Sequence, residues 1–180
     1  MLRSAVALVA ILAFVSSSTA QQQPYGGLQS RTVKALSPQQ IDDLKSGRGM
    51  GLALAAELNG YPGPLHVLEL ATPLALTEAQ RQKMQDLIAA MKADTIPLGE
   101  RLIAHEQELD DLFAKKAVTP ESLVAVTAAI GSTQGALRAA HLRYHLYTLA
   151  ELTPEQVQRY MQLRGYTAAA APGPHQHRQH

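Results

Sequence analysis

The chain reads as an all-α protein: an elongated helical hairpin with short flanking helices, a four-helix protomer in its core. Three observations predict this. Apolar side chains recur at three- and four-residue intervals along residues 77–116 and again along 120–150, and no stretch alternates as a half-buried strand must. A phrase, Leu-Thr-x-x-Gln-x-Gln, is written twice, at residues 76–82 and 152–158. Of the 180 residues 46% are hydrophobic but only 4% aromatic, an Ala- and Leu-rich mixture suited to close helix packing rather than a thick globular core.

Residues 1–20 predict an export signal. Met1-Leu2-Arg3 is a short positive start, Ser4 to Val15 is apolar, and the small residues Ser18 and Ala20 place cleavage after Ala20. The apolar run is shorter than the ~20 residues a membrane span needs, and no later segment comes closer. The mature chain is therefore expected to lack a membrane span and to be exported, with the periplasm as its destination. Residues 21–64 form an N-terminal extension: disorder over 21–30, then helix over 38–58 broken at Gly47-Arg48-Gly49, then a turn cluster at Asn59–Pro64. Residues 65–165 form the helical domain, opening on a brief helix over 65–71, and 166–180 form a disordered, His-containing tail.

The repeated phrase is a helix start. Ser37, Thr77, Thr119 and Thr153 can each accept a bond from a first-turn N–H, and at three of them a glutamine three residues on, Gln40, Gln80 or Gln156, can reach back to complete a capping box. Pro38, Pro120 and Pro154 stand at the first helical position, where a missing N–H costs nothing. Leu36 with Ile41, Val118 with Leu123 and Leu152 with Val157 suit hydrophobic staples. After Leu76 the staple partner would be Arg81, which capping leaves unexplained.

Residues 77–116 carry one seam, Met84, Ile88, Met91, Leu98, Leu102, Leu109 and Leu112, on a rod of ~60 Å that Pro97 and Gly99 are expected to bend. The return rod, 120–150, is seamed by Leu123, Thr127, Ile130, Gln134, Leu137, His141, Tyr144 and Thr148, and the short connection from Lys116 to Thr119 folds the two antiparallel. Gly131 and Gly135, among several alanines, predict close approach of another helix, within the hairpin or across a dimer. A last helix follows over 154–164.

Composition excludes several functions. Lys and Arg number 16 against 15 Asp and Glu; removing residues 1–20 takes away only Arg3 and leaves a neutral chain with no field for nucleic acid or acidic membranes. The absence of cysteine excludes thiol catalysis, thiolate metal sites and a lipoprotein anchor. No nucleophile elbow, P-loop, His-Glu-x-x-His or dinucleotide fingerprint appears, so the chain is not expected to be an enzyme.

The seven histidines point to metal. His141 and His145 stand four apart on one helix, a spacing that lets two imidazoles meet one Zn²⁺, Cu²⁺ or Ni²⁺ ion; the other reading is a helix-lining pair bonded to neighbours or water. Two ligands make a weak site. Counting from the turn, His105 misses the pair by about ten residues, or ~15 Å along the axis, so it is a ligand only across a dimer, whereas His66 or Glu69 on the short helix is a further candidate. His175, His177 and His180 in the tail attract metal weakly. Met50, Met84, Met91 and Met161 are read as gap-filling core. No cofactor is required; Zn, Cu or Ni are the candidate ions.

Leu76, Thr77 and Gln80 in "LTEAQ" and Leu152, Thr153 and Gln156 in "LTPEQ", flanking a hairpin behind an export signal, give a pattern that resembles the LTXXQ-motif family of Spy- and CpxP-like periplasmic proteins, itself similar to the ZraP- and CnrX-type periplasmic heavy-metal sensors. The resemblance covers roughly residues 65–165. It implies a curved four-helix protomer, a homodimer shaped like a cradle, and a role in the stress response as an ATP-independent chaperone for unfolded client proteins or an envelope-stress adaptor with a sensor-kinase or anti-sigma partner. Leu142, Leu146 and Leu149 would then supply part of the client surface, unless they pack on the last helix. The heavy-metal-binding sensor or buffer is the alternative it implies.

Overall fold

A computed structural model describes residues 25–166. The expected export signal and residues 167–180 of the expected tail lie outside the described residues. Six α-helices follow a single 3-10 turn at Leu28–Ser30: α1 (Pro38–Lys45), α2 (Leu54–Glu57), α3 (Pro64–Glu69), α4 (Glu78–Ala114), α5 (Pro120–Ala150) and α6 (Pro154–Leu163). No strand occurs among the described residues. The all-α hairpin is thus the fold that the periodicity predicts.

The helix starts are built from side chains. Ser37, Thr77, Thr119 and Thr153 each accept the backbone N–H three residues on, and the residue there returns a bond to the cap N–H in all four cases. At Thr119 the returning group is the Ser122 hydroxyl, so this start is a full capping box without a glutamine. Three ends share one device as well. After α1, α4 and α6 a left-handed residue, Gly47, Lys116 or Gly165, sends its N–H three residues back while the next N–H reaches five back: Arg48 to Asp43, Ala117 to Leu112, Tyr166 to Met161. These bonds satisfy carbonyls that the helix itself leaves open.

The two rods of the hairpin, α4 and α5, pack along their length, with α1 and α3 laid against α4. Two apolar clusters result. One gathers Val67, Ala71, Leu74, Leu76, Met84, Leu87, Tyr144 and Tyr160 where α3, α6 and the open end of the hairpin meet. The other gathers Val33, Leu36, Leu44, Leu102, Val126, Ile130 and Leu137, so the N-terminal extension packs on the hairpin. Burying each such Leu, Val or Met contributes roughly 1.5–3 kcal/mol.

Several expectations need correction. Disorder over residues 21–30 does not extend to residues 25–30, which hold a short turn, nor does tail disorder reach Tyr166, which accepts two bonds from Arg164 and packs on the first cluster. The broken helix over 38–58 is reduced to two short pieces, because Gly47, Met50 and Gly51 take left-handed conformations between them. Along α5, Thr127 and Gln134 are exposed while Val126 and Thr133 are buried. Two of the eight seam positions are thus one residue out, and Leu123 is exposed as well, because the N-terminal extension with Val33 and Leu36 packs on this part of the hairpin beside Val126 and Ile130. On α4 the buried line also takes Leu87, Thr95 and Gly99. Pro97 is exposed and α4 runs on through it.

Within the single chain the close approach expected at Gly131 and Gly135 falls elsewhere. Gly131 and Gly135 are exposed, and a Cβ on either would meet nothing within 4 Å. Gly99 is where helices touch: a Cβ there would lie 2.5 Å from the Leu44 carbonyl oxygen, so α1 crosses α4 backbone on backbone. Beside it Gly47, with φ 67°, leaves 2.9 Å for an added Cβ against the Thr95 hydroxyl.

Candidate functional site

Between the two apolar clusters lies a polar layer. Its buried members are Glu57, Thr95, His141, His145 and Thr148, drawn from α2, α4 and α5. The threonines are accounted for locally, since Thr95 donates to the Met91 carbonyl at 2.8 Å and Thr148 to that of Tyr144 at 2.7 Å. Glu57, His141 and His145 are not.

His141 and His145 face the same side of α5 because four residues make just over one helical turn. The segment after α1 covers them. A Cβ on Gly49 would come within 3.9 Å of His141 Nδ1, and one on Gly63 within 2.9 Å of His145 Cε1, so a side chain at position 63 would crowd the His145 ring. His145 Nδ1 stands 2.7 Å from the Tyr61 carbonyl oxygen. A carbonyl only accepts, so Nδ1 carries the proton and, in the neutral ring, Nε2 keeps its lone pair. His141 is 3% exposed, and its Nε2 is buried with no partner. Burial first, and the neighbouring His145 second, lower its pKa from the ordinary value, which keeps this ring neutral and able to donate electrons.

Glu57 brings the oxygen. It sits at the end of α2, 6% exposed, with Oε1 accepting the Tyr160 hydroxyl from α6 and Oε2 buried without a partner. That free oxygen stands 3.7 Å from His145 Nδ1, and the Arg164 guanidinium approaches Oε1 at 4.0 Å. A buried, half-satisfied carboxylate costs stability unless something else completes it.

A cleft of about 710 Å³ opens onto this layer, lined among others by Glu57, His145, His66, Met50, Met91 and Arg164. His66 therefore faces the same cleft as His145, although its Nδ1 is engaged 2.9 Å from Glu69 on the same helix. His105 lies farther along α4 beside Glu108, at 3.8 Å, and does not line the cleft. Of the three leucines proposed for clients, Leu146 is exposed while Leu142 and Leu149 are half-buried, and none belongs to either apolar cluster.

The capping motifs meet one another. Gln80 and Gln156 exchange bonds through their amides, at 2.9 and 3.1 Å, while each still accepts its own cap N–H. Their remaining hydrogens reach the carbonyls of Glu151 and Leu74 at 2.8 and 3.2 Å. Leu76 is buried and Leu152 half-buried against the same cluster. Thr77 and Thr153 do no more than cap, so this constellation joins α4 to α6 and offers no donor to a ligand.

Among the described residues no three His, Cys, Asp or Glu side chains stand close enough to enclose a metal ion. The donors nevertheless fit one in kind: two imidazoles and a carboxylate, with His141 Nε2 and Glu57 Oε2 both buried and unpartnered. Nitrogen and oxygen donors of this type suit borderline divalent ions such as Zn²⁺, Cu²⁺ and Ni²⁺. Glu57 was missed in the sequence, where the only sign is that it is the lone charge within Gly51-Leu-Ala-Leu-Ala-Ala-Glu-Leu58. Nothing in the sequence marks Tyr61 or Tyr160.

A family model described as heavy-metal resistance matches residues 51–159, which takes in Glu57, His141 and His145 and leaves out α1. Comparison with curated proteins gives no match, and comparison with solved structures gives none.

Proposed function

The chain belongs to the heavy-metal resistance family, and on that premise we propose that it is a periplasmic heavy-metal-binding protein, a sensor or buffer, whose ion is held by His141, His145 and Glu57. The observation that carries this reading is the pair of buried, unpartnered donor atoms, His141 Nε2 and Glu57 Oε2, the latter 3.7 Å from His145 Nδ1. A buried orphan on each of two different helices is expensive; as they stand the three side chains do not enclose an ion and would have to close on it. The ion would supply a charge that binds these groups together; the chain's own part is to keep His141 neutral by burial and to aim His145. The Tyr61 carbonyl does the aiming for His145, as a backbone acceptor commonly does for a metal-bound histidine. Coordination positions left over fall to solvent or to His66 and Met91 across the cleft.

A client-binding cradle is less well supported, because two of its three leucines are half-buried. We carry the likeness to the Spy and CpxP group, the homodimer and the regulatory partner as parts of the same proposal.

Calorimetry with Zn²⁺, Cu²⁺ and Ni²⁺ tests the site. Replacing His175, His177 and His180 by alanine should leave the main heat of binding in place, whereas His141→Ala/His145→Ala should remove it. Equal heats from the parent and the His141→Ala/His145→Ala variant would refute the assignment.

A further inference from the structure

The return rod has two apolar sides. The buried line of α5, with Val126, Ile130, Leu137 and Tyr144, packs along α4. On the opposite side of the same helix, at three- and four-residue spacing, run Val124, Ala128, Gly131, Gly135, Leu142 and Leu146. None of these six is buried: Val124 is 68% and Leu146 56% exposed, and a Cβ on Gly131 or Gly135 would meet nothing within 4 Å. The only full charges among the 31 residues of α5 are Glu121, Arg138 and Arg143, whereas α4 carries charge at nearly every turn. A helix side that faces water is ordinarily polar, and a helix that is apolar all round is one covered on both sides. Glycine also weakens a helix relative to alanine, and the single chain makes no use of the room these two leave.

We propose that this side of α5 is where a second copy of the chain docks, the two α5 helices lying antiparallel about a two-fold axis between Gly131 and Gly135. The stripe is complementary to itself in that arrangement. With Gly131 of one copy over Gly135 of the other, the backbones close at the smallest residues and Leu142 falls opposite Val124. Laid parallel, Leu142 and Leu146 would meet their own counterparts and hold the glycines apart. Charge agrees with the antiparallel order. Glu121 and Arg143 are both exposed on the same flank of the stripe, and the register sets Glu121 of each copy within a turn of Arg143 of the other, which meets Asp94 of its own chain only at 3.8 Å. A parallel pair would bring like charges together. A helix of 31 residues is about 46 Å long and about 10 Å across, so two laid face to face bury roughly 1,000 Å² between them, the size at which a specific interface begins. More is added on the other flank, where a cleft of about 640 Å³ runs between Gly131, Gln134, Gly135 and Arg138 on α5 and a wall that includes Leu36 and Leu44. Both of these leucines precede the stretch that the family model matches. The inference gives the proposed homodimer its surface and shares no residue with the metal assignment.

The test uses the full chain, which contains no cysteine, so that introduced thiols report this contact alone. Val124→Cys/Leu142→Cys should give a covalent dimer on mild oxidation, because position 124 of one copy meets 142 of the other, while within one chain the two lie about 27 Å apart and cannot join. Leu146→Cys alone should stay single, since its counterpart across the two-fold lies about 39 Å away. Sedimentation equilibrium should give the parent twice the mass of one chain and Gly131→Arg/Gly135→Arg the mass of one, with the same helical circular dichroism in both. A parent of one chain's mass up to millimolar concentration, or a dimer that survives Gly131→Arg/Gly135→Arg, would overturn the proposal. So would cross-linking of Leu146→Cys, which a parallel pair allows and an antiparallel one forbids. Because the face and the metal site share no residue, zinc calorimetry on the parent decides the latter separately.

Discussion

At single residues, the chain's small side chains have opposite meanings according to what lies over them. Gly99 meets the Leu44 carbonyl, so Gly99→Ala should force α1 off α4 and cost about 1–3 kcal/mol in urea unfolding. Gly131 is an exposed helical glycine with open space above it, and Gly131→Ala should instead raise stability by up to ~1 kcal/mol. Both are glycines within helical periodicity, and within the single chain the close approach falls at Gly99 and not at Gly131. Helical spacing shows that a residue is on a helix but not which neighbour lies on it, and α1 was not placed against α4 by any local signal. The histidine pair was legible because four-residue spacing is local. Its acid partner was not, because Glu57 reaches the pair only through the turn at Asn59–Gly63. The lowered pKa of His141 has a consequence for pH. The unfolded chain takes up that proton more readily than the folded one, so the stability His141 contributes is complete above its ordinary pKa of 6.5 and is lost as pH falls through the lower folded value. Tyr144 behaves oppositely: burial and its 2.6 Å bond to Asp94 push it up to about 12, so its contribution is complete below pH 10 and is lost as pH rises through that value. Urea midpoints taken across pH should fall on both sides, and His141→Asn should flatten the acid side alone.

At the level of the elements, the repeated phrase is explained by bonds made twice over. A capping threonine is worth about 1 kcal/mol, and Thr77→Ala and Thr153→Ala should each cost that amount. Gln80 and Gln156 do more than cap, since their amides also bond each other and two carbonyls. A double-mutant cycle on Gln80→Ala and Gln156→Ala should therefore show a coupling of about 0.5 kcal/mol or more, while Gln40→Ala, whose box stands alone, should be additive with either. The caps were legible residue by residue, because each is completed within four positions of chain. Their pairing across the fold was not, because it depends on how α6 returns to the start of α4. The hairpin turn shows the same limit. Lys116 takes a left-handed conformation, φ 53°, in a place that favours glycine, so Lys116→Gly should stabilise the turn by up to ~1 kcal/mol.

Across the whole molecule, two apolar clusters carry the packing and a polar layer separates them. A fold selected for stability alone would join the clusters through that layer. Here the space is given to two imidazoles, a carboxylate and two small threonines, under a cover of glycine-rich chain that leaves room for the rings. The long rods and their reversal were legible in periodicity and caps; the layer was not, since it forms where residues 46–63 fold back over the hairpin and no periodic signal runs through that segment. The central claim is that this layer binds a heavy-metal ion. X-ray absorption at the zinc edge, on the full chain with His175, His177 and His180 replaced by alanine and loaded with one equivalent of Zn²⁺, tests it most directly. The account predicts a first shell of nitrogen and oxygen at about 2.0–2.2 Å with the multiple scattering of two imidazoles, both lost in His141→Ala/His145→Ala. A shell of oxygen alone, or one unchanged by that double substitution, would contradict it.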